Sequence, residues 1–509
     1  LPRRLAVRIA SGTLSLTPIN LSTLLNCNQY SFVADRSDPL YGNWCQTDIK
    51  GQEIAKMGAD KQMNLGFLFQ ISGVHYGGWR YPSAQPKRAA DIRYYAEVVR
   101  TAERGKLDFC FLADSIAAYE GSAEKQDRSK EALMAAEPKR LLEPFTLLAA
   151  LAMVTEHIGL VTTATTTYNE PYTIARLFAS LDHISNGRAG WNVVTSANLA
   201  EAHNFGRDSH VEHGDRYARA EEFIDVVFKL WDSIEDGAYI RDKLAGQYGL
   251  SDKIHFINHV GEHFKVRGPL NVPRPPQGHP VIVQAGSSQP GKELAARTAE
   301  VVFTAQQTLA DGKAFYSDVK GRMAKYGRSS DSLKILPGVV VYVAETESEA
   351  KAKYETVSNL VPPDFGLFML SDLLGEIDLK QFDIDGPLPE DLPEAKGSQS
   401  RRDVIINLAR RENLTIRQLY QHISGASGHR SLWGTPKQIA DQFEQWVYEG
   451  AADGFNILPP YLPESMTDFV NFVVPELQRR GLFRTEYEGS TLRDRLGLAR
   501  PKNSVAKPS

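Results

Sequence analysis

Three stretches of this 509-residue chain, and one dispersed set, combine residue types and spacings able to do chemistry. The first, Gly286-Ser287-Ser288-Gln289-Pro290-Gly291-Lys292-Glu293, follows an apolar run and nearly spells the phosphate-cradling loop GxxxxGK[ST]. Glu293 stands where that loop needs a hydroxyl for Mg²⁺, and Pro290 removes an amide, so an ATP-type loop is not expected. Serine hydroxyls and amides at a helix start still suit a single phosphomonoester. The second holds His255, His259 and His263, four apart, the spacing of metal ligands on a helix. The run from His255 to Val266 reads instead as a strand, a glycine turn and a second strand, which disperses the imidazoles. In the third, His210 and His213 flank Glu212 as HxEH, not as the helical HExxH. No metal site is expected, and a metal-dependent barrel hydrolase is the lesser alternative.

The dispersed set closes successive apolar runs. It comprises Gln70, Asp114, Thr163 to Thr167, Asn192 with Thr195 and Ser196, Gly286 with Ser287 and Ser288, Thr304 and Pro459. These ends are rich in hydroxyls and amides and poor in the paired carboxylates that hydrolysis uses. Any one of them reads equally as a helix cap. Across five strands they suit a polar, heteroatom-rich cofactor.

The elements that must position these residues alternate regularly. Apolar runs at 64–70, 107–112, 158–163, 189–195, 280–284, 301–303, 335–343 and 454–458 are separated by helical patterns at 89–105, 140–156, 171–185, 216–234, 293–299, 310–326 and 436–449. Continuous apolar strands with helical connections predict a parallel sheet, and eight of them an α/β fold of the closed (β/α)8 TIM-barrel type. An open doubly wound sheet competes, but no strand leads into a GxGxxG turn. Insertions fall at about 115–140, 236–279 and 346–435. The last carries Pro362, Pro363, Pro387, Pro389 and Pro393 among acidic residues and is long enough for a lid. The core is expected over 61–498, with 499–509 a flexible tail.

Lys and Arg number 58 against 62 acidic residues, a net charge of −4, which leaves no basic field for nucleic acid or an anionic membrane. Cys27, Cys45 and Cys110 form no CxxC pair, which argues against a disulfide framework and for a reducing cytoplasm.

Several segments occur in an order that carries a resemblance. They are Phe111-Leu112-Ala113-Asp114, Trp191-Asn192-Val193-Val194-Thr195-Ser196, Asn204-Phe205-Gly206, Glu212-His213-Gly214-Asp215-Arg216-Tyr217, Gln284-Ala285-Gly286-Ser287-Ser288, Ala452-Asp453-Gly454-Phe455-Asn456 and Val474-Pro475-Glu476-Leu477. The set resembles the bacterial-luciferase-like flavin monooxygenases, in the branch of the nitrilotriacetate, dibenzothiophene sulfone and long-chain alkane enzymes, from about Met63 to Leu498. The resemblance implies a TIM barrel, reduced FMN (FMNH2) as cosubstrate, O2 consumption, a separate NAD(P)H:flavin reductase and a homo-oligomer, dimer or tetramer. It also implies insertion of one oxygen atom into a small organic substrate through a flavin C4a-hydroperoxide. Asp114, Thr163, His213, Tyr217 and Ser288 match FMN-contacting positions, with Asn192 and Ser196 weaker candidates near the ring and Thr165 competing with Thr163. A deazaflavin-dependent oxidoreductase on the same barrel and a non-catalytic flavin carrier are the rival readings. The alkane branch carries a His after its Val-Thr-Ser, where this chain has Ala197, and His75 in the first loop has no assigned role.

Residues 1–60 read as an extension outside the core. The chain opens with Leu1, reaches its first Met at Met57 and carries Arg3, Arg4 and Arg8 with no acidic residue before Asp35, a composition shared by transit segments and by non-native upstream sequence. Deleting residues 1–56 should leave a cooperative melt and flavin binding intact. An insoluble truncation would place the segment in the core.

Overall fold

The computed structural model describes residues 62–118, 133–138, 141–196, 198–375, 377–392, 399–426 and 428–506. The N-terminal extension and part of the first insertion lie outside them. Eight parallel strands appear where the apolar runs predict: β1 Asn64–Leu68, β2 Phe109–Leu112, β3 Gly159–Thr165, β4 Ala189–Val194, β5 Val281–Ala285, β6 Val301–Thr304, β7 Lys334–Val343 and β8 Gly454–Leu458. Each of β1 to β6 pairs with the next. The ring then closes through Val301 against Lys334, Gly338 against Asn456, and Gly454 against Asn64. The fold is the expected TIM barrel.

Alternation along each strand decides what the barrel contains. Phe109, Phe111, Val161, Val283, Leu336 and Leu458 belong to one buried cluster, the inner face. Leu65, Cys110, Leu160, Val341, Phe455 and Ile457 belong to a second cluster, against the helices. Gly66 has no side chain because the Phe109 ring occupies the space a Cβ would need. At the amino-terminal end Leu492, Leu496 and Leu498 join the inner cluster as a floor, with Leu492 seated against Gly159. Beside it Arg493, 1% exposed, pairs with Glu300 and donates to the His279 carbonyl. With one mouth plugged, only the carboxyl ends can build a site.

The outer helices begin where local chemistry satisfies their first amides. Asp91 caps Ile92–Arg104, Glu143 accepts from Phe145 and Thr146 ahead of Pro144–Ala152, and Thr435 forms a reciprocal capping box with Gln438 ahead of Pro436–Tyr448. Within 236–279, His259–Val260 runs antiparallel to Lys265–Val266, the expected hairpin. There His255 contacts Glu235 and His259 contacts Glu222, each at 2.8 Å, and no group of three metal-ligating side chains occurs among the described residues.

The 346–435 insertion is a packed helical unit. Helices Pro363–Leu373, Gln399–Arg411 and Ile416–Ala426, with Leu374 just beyond the first, bury Phe365, Leu370, Leu374, Ile405, Leu419 and Tyr420 against one another. Val357 of helix Glu347–Asn359 joins the inner cluster of the barrel. It ends in a strand the sequence reading did not foresee, Arg430–Gly434, parallel to β7 from Val339 to Val343. Beyond Leu498, where the sequence suggests a flexible tail, residues as far as Ala506 make hydrogen bonds. Arg500 pairs with Asp236, Arg274 donates to the Pro501 carbonyl, and Asn503 and Ser504 donate to Asp232, so buried and half-buried charges tie the segment down. No helix among the described residues is long and apolar enough to cross a membrane.

Leu492→Ala should open a cavity in the floor and destabilise the fold by about 2–5 kcal/mol. Urea unfolding followed by tryptophan fluorescence measures it, and a loss under about 0.5 kcal/mol would show that the floor does not carry the barrel.

Candidate active site

Two poles form at the carboxyl ends. At the first, β5 leads through Gly286 into helix Gln289–Thr298, whose N-cap is Ser288. Ser288 Oγ accepts from the Gly291 amide at 3.2 Å and lies 3.3 Å from the Tyr217 hydroxyl. Tyr217 arrives from helix His213–Asp232, 71 residues away in sequence. A Cβ on Gly286 would meet nothing within 4 Å, so the turn faces open space. Either hydroxyl of the pair can donate to the other, which leaves one of the two protons to offer an anion. Lys292 and Glu293 take no part: Lys292 pairs with Asp318, while Glu293 binds Arg322, Lys325 and Tyr326, whose donors hold its carboxyl down at about 2. The side chain of His213 lies outside the described residues.

The second pole spans β2 to β4. Asp114, Thr163, Thr165 and Ser196 line one cavity, with Ser115 and Glu201. Asn192 Nδ2 donates to Thr163 Oγ1 at 2.8 Å, and Ser196 Oγ donates to Thr165 Oγ1 at 2.9 Å. Both threonines point inward, so the choice between them does not turn on orientation. Asn192 Oδ1 is buried without a hydrogen-bond partner among the described residues, an arrangement that costs stability unless a ligand or water meets it. Ser196 adopts φ +48°, a conformation L-residues rarely hold. Arg216, on the helix that carries Tyr217, donates to the Ser196 and Thr195 carbonyls and so fixes that turn.

Of the residues expected from the sequence, Ser288 meets Tyr217, Thr163 meets Asn192, and Asp114 shares a cavity with Thr163 and Ser196. A hydroxyl pair at the start of a ten-residue helix fits a phosphate, and an amide–hydroxyl wall fits the hydrogen-bonding edge of a flavin ring. The residues present fit FMN.

Sequence reading missed Glu201. This carboxylate, 4% exposed, accepts from Ser115 Oγ at 2.8 Å and from the Ile116 amide at 3.0 Å, while Asn204 Nδ2 donates to the Ile116 carbonyl at 2.8 Å. Helix Leu199–Asn204 therefore clamps the loop that presents Asp114. A carboxylate 86 residues from its partner leaves no local signal.

The model of the luciferase-like monooxygenase family matches residues 72–453. The chain belongs to the luciferase-like monooxygenases. This monooxygenase is flavin-dependent. It is 94% identical over 453 residues to nitrilotriacetate monooxygenase component A of Aminobacter aminovorans, covering 89% of this chain and 100% of that one. Among solved structures it is similar to the EDTA monooxygenase of Chelativorans sp. BNC1, with 35% identity, TM-score 0.69, and coverage of 86% of this chain and 99% of the other. It is also similar to DmoA of Hyphomicrobium sulfonivorans, with 34% identity, TM-score 0.76 and coverage of 86% and 92%.

Ser288→Ala in this monooxygenase should weaken FMN binding by about 1–3 kcal/mol, the loss typical of a hydrogen bond to a charged group. Riboflavin, which lacks the phosphate, should lose far less. Equal losses for both ligands, by fluorescence quenching, would move the phosphate elsewhere.

Proposed function

We propose that this chain is the oxygenating half of a two-component system, which uses reduced FMN and O2 to insert one oxygen atom into an aminopolycarboxylate such as nitrilotriacetate. The observation that carries the reading is the single-phosphate pole at Ser288 and Tyr217 on a barrel with no GxGxxG turn in its sequence. Such a site suits a mononucleotide and offers nothing to a pyridine dinucleotide, so the electrons must come from a separate flavin reductase. The substrate class is taken from the 94% identity to nitrilotriacetate monooxygenase component A.

Reduced FMN, when bound, supplies the electrons that activate O2. The chain's own residues bind and aim. Ser288 and Tyr217 hold the phosphate, and the helix start adds its amides. Asp114, Thr163 and Asn192 orient the ring edge, while Glu201 and Arg216 keep their loops in place. The 346–435 unit covers the opposite side of the mouth and excludes water, which protects a reactive oxygen species from unproductive collapse. With Cys110 buried and no CxxC pair in the sequence, the reading places the enzyme in the cytoplasm.

Purified protein given NADH, FMN and nitrilotriacetate should be nearly silent in oxygen uptake and product formation. Adding any unrelated flavin reductase should switch both on. Robust NADH oxidation by the isolated chain would sink the two-component reading, and turnover only with a deazaflavin would replace it.

A further inference from the structure

Among the described residues, Lys106, Asn186, Ser196, Arg241, Asn258 and Asn413 hold positive φ without being glycine, and of these only Ser196 lines the cavity at the ring pole. A serine keeps such a conformation only where its surroundings impose it. Part of the constraint comes from the end of β3. The Thr166 amide donates to the Val194 carbonyl at 2.9 Å, Thr167 Oγ1 to the Thr195 carbonyl at 2.7 Å, and Ser196 Oγ to Thr165 Oγ1 at 2.9 Å. These bonds fasten the backbone up to Thr195 and the Ser196 side chain. The Ser196 carbonyl is held from elsewhere, by Arg216 Nη1, which also reaches the Thr195 carbonyl at 3.4 Å.

Arg216 stands near the start of helix His213–Asp232, whose N-cap Glu212 makes no side-chain capping bond. Three contacts seat that helix end across neighbouring strand ends. Arg216 holds the turn after β4, Tyr217 lies 3.3 Å from Ser288 on the turn after β5, and Arg219 Nη2 donates to the Asn169 carbonyl, beyond β3, at 3.2 Å. Consecutive side chains of an α-helix diverge by about 100°, which is how two adjacent residues reach two different strand ends. Both hydrogen bonds of the Arg216 guanidinium go to main-chain carbonyls, so it braces backbone shape and is not half of an ion pair. One helical turn therefore touches the phosphate pole through Tyr217 and the ring pole through Arg216.

We propose that Arg216 is a positioning residue that couples the two poles: by holding Ser196 in its left-handed conformation from the turn that presents Tyr217, it ties capture of the phosphate to the setting of the hydroxyl wall beside the flavin ring. The inference rests on the reading of the cofactor as FMN. Arg216 acts through Ser196 and, by way of the Ser196 hydroxyl, through Thr165. A phosphate on Ser288 and Tyr217 keeps the helix start seated, and the seated helix keeps the brace on the Ser196 carbonyl. With the brace removed, Ser196 relaxes to negative φ and its hydroxyl leaves Thr165. The phosphate then still anchors the cofactor, while the ring loses part of the wall that aims it.

The test is a mutant cycle in the full-length protein: Arg216→Met, Ser196→Gly and the two together. Glycine holds positive φ without help, so Ser196→Gly gives up the bond to Thr165 and also the need for a brace. Three quantities are read: FMN affinity by fluorescence quenching, the visible circular dichroism of bound oxidised FMN, and product formed per O2 consumed with nitrilotriacetate and reduced FMN from a separate reductase. Arg216→Met should alter the flavin dichroism and cut product per O2 about tenfold, while FMN affinity falls by no more than about threefold. In the Ser196→Gly background the same change should leave the dichroism as in Ser196→Gly alone and cost less than about twofold in product per O2. Equal losses in both backgrounds, or no loss in either, would overturn the coupling and leave the proposed function standing. Should Arg216→Met lose its cooperative melt, Arg216→Gln carries the cycle with the same expectations. If nitrilotriacetate is not turned over, the substrate reading falls and the dichroism cycle still decides the coupling. Wild-type protein that binds no FMN would remove the cofactor reading and the coupling with it.

Discussion

The register of the closed barrel is the constraint on which everything else depends. Side chains alternate between the interior and the helix layer, so a slip of one residue at any strand pair would turn its neighbours inside out. Three pairings complete the ring, β6 with Lys334–Pro337 of β7, β7 with β8 at Gly338–Val340, and β8 with Asn64–Phe67 of β1. Together with the inner packing of Phe109, Val161 and Leu336, they fix Thr163, Asn192, Tyr342 and Asn456 facing inward. The polar groups of the mouth exist as a set because the apolar layers below them leave no other arrangement.

The two ends of the barrel divide the electrostatic labour. Charge is concentrated at the floor and its rim, where Arg493 meets Glu300, Arg484 meets Asp108 and Arg274 meets Asp232, each pair held by further hydrogen bonds. Ion pairs removed from water this far survive because every partner is fixed. The mouth is lined mainly by hydroxyls and amides beside the Asp114 carboxylate, and the Glu201 carboxylate there is consumed by Ser115 and the Ile116 amide. A largely neutral mouth suits a site that must admit an anionic cofactor and a reactant in turn.

Much of this was legible before any coordinates. Long apolar runs such as those ending at Thr163 and Val343 read as strands buried on both faces, with helical patterns such as 89–105, 140–156 and 436–449 between them. The meeting of Ser288 with Tyr217 followed from the strand-end rule and the ordered motifs. What stayed hidden has a common physical origin: the information lies in a distant partner. Arg430–Gly434 is a short, mixed strand that makes sense only against β7. Tyr342 and Asn456 read as ordinary strand residues until the inner face shows the Tyr342 hydroxyl and the Asn456 amide without hydrogen-bond partners among the described residues. The C-terminal segment looks like a polar tail until Asp232, Asp236 and Arg274 claim it.

The long insertion leaves the barrel after Val343 and returns as a strand paired with Val339 to Val343 of that same β7. Its entrance and exit are therefore stapled to one strand. Its later helices carry their own apolar core, and the next barrel strand, β8, pairs with β7 at Gly338 to Val340. Such a unit behaves as a cassette. Its own apolar core can vary at a distance from the flavin pole, whereas Val357 and Ala426, which join the inner cluster of the barrel, cannot be rewritten so freely.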